Sequence, residues 1–254
     1  MTTVQPAVSP PAAIRRVTLL FSGGVDSTAA ALRLAEAYDC VDLVSYHNGY
    51  GHYHLTRTAA RFRELGRLLP NRFSHEMISV RDLFETLVID GLEADYERYR
   101  SGFIWCLGCK IAMHVRTVAY NREKGINVVA DGSSAETSEM VEQMPASVAR
   151  IRRFYADHGI AFETPVYGER RESSIRALSE KGLRLGLRVG DRFLGTQPKC
   201  KPGELYYLPF LLLGSAMRHP EEAVVDFIDR KLALGDRWLR DYLQRRGIVD
   251  GVTP

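Results

Sequence analysis

The chain has little of what would settle its class at a glance. It holds two tryptophans and four cysteines in 254 residues, and its formal net charge is only +3. Four cysteines are too few for the disulfide framework of a small secreted scaffold. A charge of +3, with a pI of about 8.7, tolerates a nucleic-acid partner but does not argue for one. No apolar run approaches the ~20 residues that cross a bilayer; the longest, 205–213, is interrupted by Pro209. There is no internal repeat. Residues 1–13 carry three prolines and lack the basic-then-apolar layout of a signal peptide, so a disordered leader and a cytoplasmic location are expected. In that compartment cysteines stay reduced, and clustered ones indicate metal binding or catalysis.

Apolar runs alternate with amphipathic stretches, the pattern of a parallel sheet flanked by helices. Strands are expected at 17–21, 41–46, 75–79, 126–130 and 161–166. Helices are expected at 28–38, 54–68, 80–99 (broken near Gly91), 110–124 (stopped by Gly125) and 220–246. The fold class is therefore α/β, a doubly wound parallel sheet. From residue 170 the pattern changes: glycines and arginines crowd 182–195, and a loop holds Pro198, Cys200, Pro202 and Gly203. The expected division is a leader (1–13), a nucleotide-binding domain (14–169), and a C-terminal extension with a long helix (170–254).

The sharpest local signal is Ser22-Gly23-Gly24-Val25-Asp26-Ser27, after a strand and before a helix. Glycines let the backbone turn and bring its N–H groups to an anion, and the helix start adds unsatisfied N–H groups and the positive end of its dipole. Ser22 and Ser27 can donate to phosphate oxygens. Asp26 would repel phosphate, so it reads as a cap or a partner for Mg²⁺. The Gly-Lys-Ser/Thr ending of a Walker A loop is missing. The segment resembles the SGGxDS pyrophosphate loop of the N-type ATP pyrophosphatases, the PP-loop or adenine nucleotide alpha hydrolase superfamily. That resemblance implies a Rossmann-like fold in which the loop grips the pyrophosphate of ATP while a substrate oxygen attacks the α-phosphate. It places Phe21 to Ser27 at the phosphates, Ser45, Tyr46 and His47 beside the adenine, and Asp131, Gly132 and Ser133 at the closing edge. Many tRNA-thiolating relatives have an Asp pair after this point; here Ala135 and Glu136 follow, closer to the 4-thiouridine branch. Asp131 and Glu136 each read as the acid or merely as a cap of the next helix. Lys110 is expected to neutralise developing phosphate charge.

Cys40 reads as a small buried hydrophobe. Cys106-Leu107-Gly108-Cys109 places two thiols before the expected helix at 110, where N–H groups favour thiolate. Cys200 lies between Lys199 and Lys201, which would do the same. A CxxC is a redox pair, a zinc half-site or an iron–sulfur half-site. Zinc needs a fourth ligand, for which His114 is the candidate; three thiolates suit a [4Fe-4S] cluster with one open iron. The order SGGxDS, CxxC, distant Cys is similar to that of ATP-dependent tRNA sulfurtransferases with a three-cysteine [4Fe-4S] cluster, which implies that Cys106, Cys109 and Cys200 are ligands and deliver sulfur. A metal-free route, with one cysteine carrying a persulfide and another resolving it, stays open. So do an amide- or nitrile-forming ligase and a nucleotide-binding regulatory module without chemistry.

Arg57, Arg61, Arg63 and Arg67 lie on one expected helix and Arg237, Arg240, Arg245 and Arg246 on another; each set reads first as a solvated face and second as an RNA-phosphate contact. Trp105, Tyr206 and Tyr207 flank the cysteine segments. The partners expected are a tRNA or small-molecule thiolation substrate, a sulfur donor (sulfide or a persulfide carrier) and a second subunit of the same chain. No added RNA-binding module is visible in the sequence.

Overall fold

A computed structural model describes residues 14–183, 197–213 and 219–248. The expected leader and most of the glycine- and arginine-rich stretch lie outside the described residues. The central sheet has five parallel strands in the order β4-β2-β1-β5-β6: β1 Arg16–Leu20, β2 Cys40–His47, β4 Phe73–Ser79, β5 Val128–Asp131 and β6 Ala161–Glu163. A separate two-stranded ribbon pairs β3 (His52–Tyr53) antiparallel with β7 (Lys199–Cys200).

The strands read as apolar runs because both faces of the sheet are covered. On one face lie α1 (Val25–Ala37), α2 (Thr56–Leu68) and α7 (Arg171–Glu180); Leu34, Leu65 and Leu178 pack there against Val17, Leu19 and Leu43. On the other lie α5 (Phe103–Lys124), α6 (Pro145–Asp157) and α9 (Glu221–Arg245), where Val115, Tyr155 and Phe227 join Val44 and Val129. The sheet is doubly wound, as expected. The C-terminal segments contribute to both cores, α7 to one and α9 to the other.

Several elements differ from the sequence reading. Helix α5 begins at Phe103, not at 110, because Phe103, Leu107, Ile111, Val115 and Val118 keep one apolar stripe through the CxxC. Gly108, which looks like a helix breaker, is there for packing: a Cβ on it would meet Val88 Cγ2 at 2.5 Å. Helix α6 was not anticipated; Pro145 sits in its first turn and Val148, Ile151 and Tyr155 form its buried stripe. The loop expected around Cys200 is instead β7 followed at once by α8 (Lys201–Leu213). The stretch expected to be helical over 80–99 with a break near Gly91 is α3 (Arg81–Phe84), a π turn at Glu85–Ile89 and α4 (Leu92–Tyr99), and the break falls at Gly91 as expected.

The β5 end is pressed against the start of α1. A Cβ on Gly132 would lie 2.6 Å from the Ser27 amide nitrogen and 2.7 Å from Ser27 Cα. Those are backbone atoms and cannot rotate away. Gly132→Ala is therefore expected to lower stability by about 1–3 kcal/mol, read as a lower urea midpoint at unchanged slope. Gly66, inside α2 with nothing within 4 Å of its Cβ position, is the control. Gly66→Ala should raise stability by roughly 0.5–1 kcal/mol.

Candidate active site

A cavity of about 320 Å³ opens at the C-terminal ends of β1, β2 and β5, where an α/β sheet reverses its winding. Phe21, Ser22, Gly24, Asp26 and Ser27 line it from the first loop, Ser45 and Tyr46 from β2, Lys110 from α5, and Asp131, Gly132 and Ser133 from the end of β5. Most of the residues expected at a nucleotide thus converge. Gly23, Val25 and His47 do not line it. Gly23 makes the turn behind it with φ +73, Val25 is buried in the core, and the His47 carbonyl accepts the Val80 N–H at 2.9 Å.

The loop is tied to itself. Ser22 Oγ and Ser27 Oγ are 3.0 Å apart, Ser22 Oγ accepts the Gly24 N–H at 3.3 Å, and Thr28 Oγ1 donates to the Gly24 carbonyl at 2.6 Å. No side chain caps α1, so the N–H groups of its first turn, which have no partner inside the helix, are offered to whatever enters. Asp26 is not the cap. It is paired with Arg171 at the start of α7, and burial raises its pKa despite that partner.

At the floor, Lys110 Nζ donates to Asp131 Oδ2 at 2.7 Å and lies 3.4 Å from Ser133 Oγ. Burial works to raise the Asp131 pKa, but Lys110, His114 and the Ser133 N–H outweigh it and hold the carboxyl below its usual range. Of the two candidate acids, then, Asp131 faces the cavity. Glu136 accepts the Arg171 N–H at 2.8 Å and serves the start of α7. His114 Nδ1 lies 2.9 Å from the Tyr155 hydroxyl, and its Nε2 lies 3.9 Å from Asp131 without a hydrogen bond. It is wholly buried behind Asp131, and among the described residues it does not complete a zinc site with the cysteines.

Cys200 lines the cavity. Cys106 and Cys109 sit behind it on α5. The Sγ atoms of Cys106 and Cys200 lie 3.5 and 3.9 Å from the point where a Gly203 Cβ would be, and the charges of all three thiols are mutually felt. The fold therefore brings the distant cysteine to the CxxC. The expected thiolate bias at the CxxC is not found: both residues lie inside α5, and burial pushes Cys109 up to about 12 and Cys106 higher still. Cys200 is raised by burial too, with the Gly203 N–H at the start of α8 pulling the other way. Lys199 does not serve it, because its ammonium pairs with Glu204 at 2.7 Å. Among the described residues no three His, Cys, Asp or Glu side chains converge tightly enough to hold a single metal ion. Among the described residues the buried Trp105 indole N–H has no hydrogen bond of normal geometry; it faces Cys200 closely enough to lower that thiol's pKa.

Several lining residues carried no sequence signal: His52, Thr58, Met113, Glu142, Gln143 and Gln197. Gln197 Oε1 lies 3.5 Å from Ser22 Oγ. Asn48, directly after β2, donates to Cys109 Sγ at 3.2 Å. Of the basic sets, Arg61 is buried against Glu64 and Arg240 is paired with Asp236, so neither set is a continuous cationic face. No helix among the described residues is long and apolar enough to cross a membrane.

No family model and no curated protein matches the chain. Solved structures that resemble it include a predicted subunit of a tRNA methyltransferase from Methanocaldococcus jannaschii, 19% identical over 66% of this chain and 75% of that one, with a TM-score of 0.44. The U34-tRNA thiolase NcsA from Methanococcus maripaludis, solved with its [4Fe-4S] cluster, is 14% identical over 86% of this chain and 72% of that one, with a TM-score of 0.47. A 4-thiouridine synthetase in complex with RNA and ATP is 14% identical over 89% of this chain, with a TM-score of 0.47; the match spans 53% of that protein's length.

Burial, then Lys110, lowers the His114 pKa to about 3, against about 6.5 in the unfolded chain. Between those values the unfolded state binds a proton that the native state does not, so stability falls as pH falls. The expected loss is about 1.4 kcal/mol per pH unit below about 6.5. Urea titrations of the wild type and His114→Gln from pH 7 to pH 4 check this: the variant should have the shallower slope, and equal slopes would remove His114 as the cause.

Proposed function

We propose that the protein is an ATP-dependent sulfurtransferase, which adenylates a carbonyl oxygen of its substrate and replaces that oxygen with sulfur. The observation that carries this reading is one cavity lined both by an uncapped helix start after Ser22-Gly23-Gly24 and by Cys200, with Cys106 and Cys109 behind it. Phosphate activation and thiol chemistry are then within one substrate's reach.

In this reading the N–H groups of Gly24 to Ser27 and the two serine hydroxyls hold the β- and γ-phosphates, and Mg²⁺ arrives with ATP to offset their charge. The strand end at Val44 to Tyr46 borders the adenine. Lys110, held in place by Asp131, faces the α-phosphate and stabilises the charge that grows as the substrate oxygen attacks. Pyrophosphate leaves. Sulfur from the cysteine side bonds to the activated carbon, the carbon–oxygen bond breaks, and AMP carries the oxygen away. A tRNA base and a small heterocyclic carbonyl present the same reacting group, and either serves as the substrate.

The three cysteines fit a [4Fe-4S] cluster in two respects. They form an all-sulfur donor set with no histidine in it, and they are approached by N–H groups from Asn48, Gly203 and the otherwise unpartnered Trp105. A cubane also spreads its ligands more widely than a single ion does, in keeping with the missing single-ion cage. When bound, it would supply an open iron for the incoming sulfur. The nearness of Cys106 and Cys200 to Gly203 also favours a second, metal-free reading. There a persulfide on one of them gives up its outer sulfur and the other closes a disulfide.

ATP–pyrophosphate exchange tests the first half. Gly23→Ala, which strains a backbone at φ +73, and Lys110→Ala should each lower exchange at least ~100-fold, the scale of a lost oxyanion contact, with the fold retained. Wild-type-like exchange in folded Gly23→Ala would remove the loop from the phosphates. Cysteine variants test the second half. Each of Cys106→Ala, Cys109→Ala and Cys200→Ala should abolish sulfur transfer and iron content after anaerobic reconstitution while leaving exchange intact, and Cys40→Ala should do neither. Iron-free protein that is fully active and needs only two of the three cysteines would establish the persulfide route instead.

A further inference from the structure

We infer that Asn48 is the positioning residue of the sulfur site: its carboxamide holds Cys109, and the loop it begins holds Cys200. This rests on the cluster reading above. Asn48 is fully buried. Its Oδ1 accepts the Tyr50 backbone N–H at 2.9 Å. Only the oxygen end of a carboxamide can accept from an N–H, so that bond fixes the orientation and turns the Nδ2 donor toward Cys109 Sγ, 3.2 Å away. A thiol sulfur is a weak acceptor, whereas a ligand sulfur carries thiolate charge and makes a charge-assisted bond of roughly twice the strength. A fully buried amide oriented in this way is suited to a charged sulfur.

The same loop reaches the third cysteine. His52 pairs across the β3–β7 ribbon with Cys200, and the Gly51 carbonyl accepts the Lys201 N–H at 3.0 Å. Gly51 has φ +84, and a Cβ there would lie 2.8 Å from Pro202 Cδ, so the loop is pressed against the turn that carries Cys200. Asn48 also follows the last residue of β2, the strand that lines the nucleotide cavity. Five residues thus connect that cavity to two of the three sulfurs. A hydrogen bond to a ligand sulfur withdraws electron density from it and eases reduction of the cluster.

The test uses the full chain reconstituted anaerobically with iron and sulfide, with iron content, visible circular dichroism and reduction potential measured for the wild type, Asn48→Asp and Tyr50→Phe. Asn48→Asp keeps the shape and the bond from the Tyr50 N–H but turns an acceptor toward the sulfur. It is expected to bind the wild type's complement of iron at a lower potential and with an altered dichroism spectrum. Tyr50→Phe loses only the hydroxyl bond to Glu85 in the same loop and should match the wild type. If aspartate is not tolerated, Asn48→Ala removes the donor without burying a charge and should lower the potential in the same direction. A wild-type potential in the Asn48 variant, or an equal fall in Tyr50→Phe, would overturn the inference and leave the cluster reading standing. A wild type that exchanges ATP and pyrophosphate but takes up no iron would overturn the cluster reading, and this inference with it.

Discussion

The ion pair between Lys110 and Asp131 fixes the relation between the two halves of the site. Asp131 is the last residue of β5 and sits on the floor of the phosphate cavity. Lys110 follows Cys109 on α5, the helix that carries two of the three sulfurs. Their 2.7 Å contact therefore locks the cysteine helix to the cavity end of the sheet. Asp131 is almost wholly buried and also takes the Ser133 N–H at 2.9 Å and its hydroxyl at 2.8 Å. A buried pair of this kind adds little net stability, but removing one partner strands the other at a cost of about 3–5 kcal/mol. Its value lies in the single geometry it enforces.

Around that pair the fold leaves little slack. Gly132 admits no Cβ because the first turn of α1 lies against it, and Gly108 admits none because Val88 fills the space. One contact sets the distance from β5 to the phosphate loop; the other sets how deeply the CxxC turn of α5 sinks into the core. Burial along α5 also accounts for the upward pKa shift of Cys106 and Cys109. Burial in an apolar core disfavours a thiolate until a positive partner arrives. The buried thiols and the helix-start Cys200 are thus unequal before any partner binds.

Much of this was legible where the signal is local. The Ser22–Ser27 loop is six consecutive residues between a strand and a helix, and the five sheet strands follow from their apolar runs, so both could be read directly, whereas α6 and α7 were missed. The start of α5 was misplaced because Gly108 and the two cysteines look like a loop when read by type. The apolar stripe that runs through them outweighs that impression once α9 and the π turn at Glu85–Ile89 pack on it. Cys200 was expected in a loop because Pro202 and Gly203 follow it. Proline is well suited to the first turn of a helix, where its missing N–H costs nothing, and α8 begins there. Asn48, His52 and Gln197 left no pattern because each acts through a partner tens of residues away or more.

The resulting arrangement brings the Ser22–Ser27 turn, Lys110 and Cys200 to the lining of one cavity. That geometry matters for the order of events. An activated, adenylated carbon in water hydrolyses, so the group that attacks it must already be in place when pyrophosphate leaves. Sulfurs on a separate domain would need a closing motion to meet that requirement. Here Cys109 is next to Lys110, and Cys200 pairs with His52 of β3, five residues beyond the end of β2. In the proposed reading, the elements that would hold ATP therefore also hold the sulfurs. In that reading one chamber serves both steps because α5 carries Lys110 beside Cys109, and the segment that brings Gln197 to Ser22 also carries Cys200.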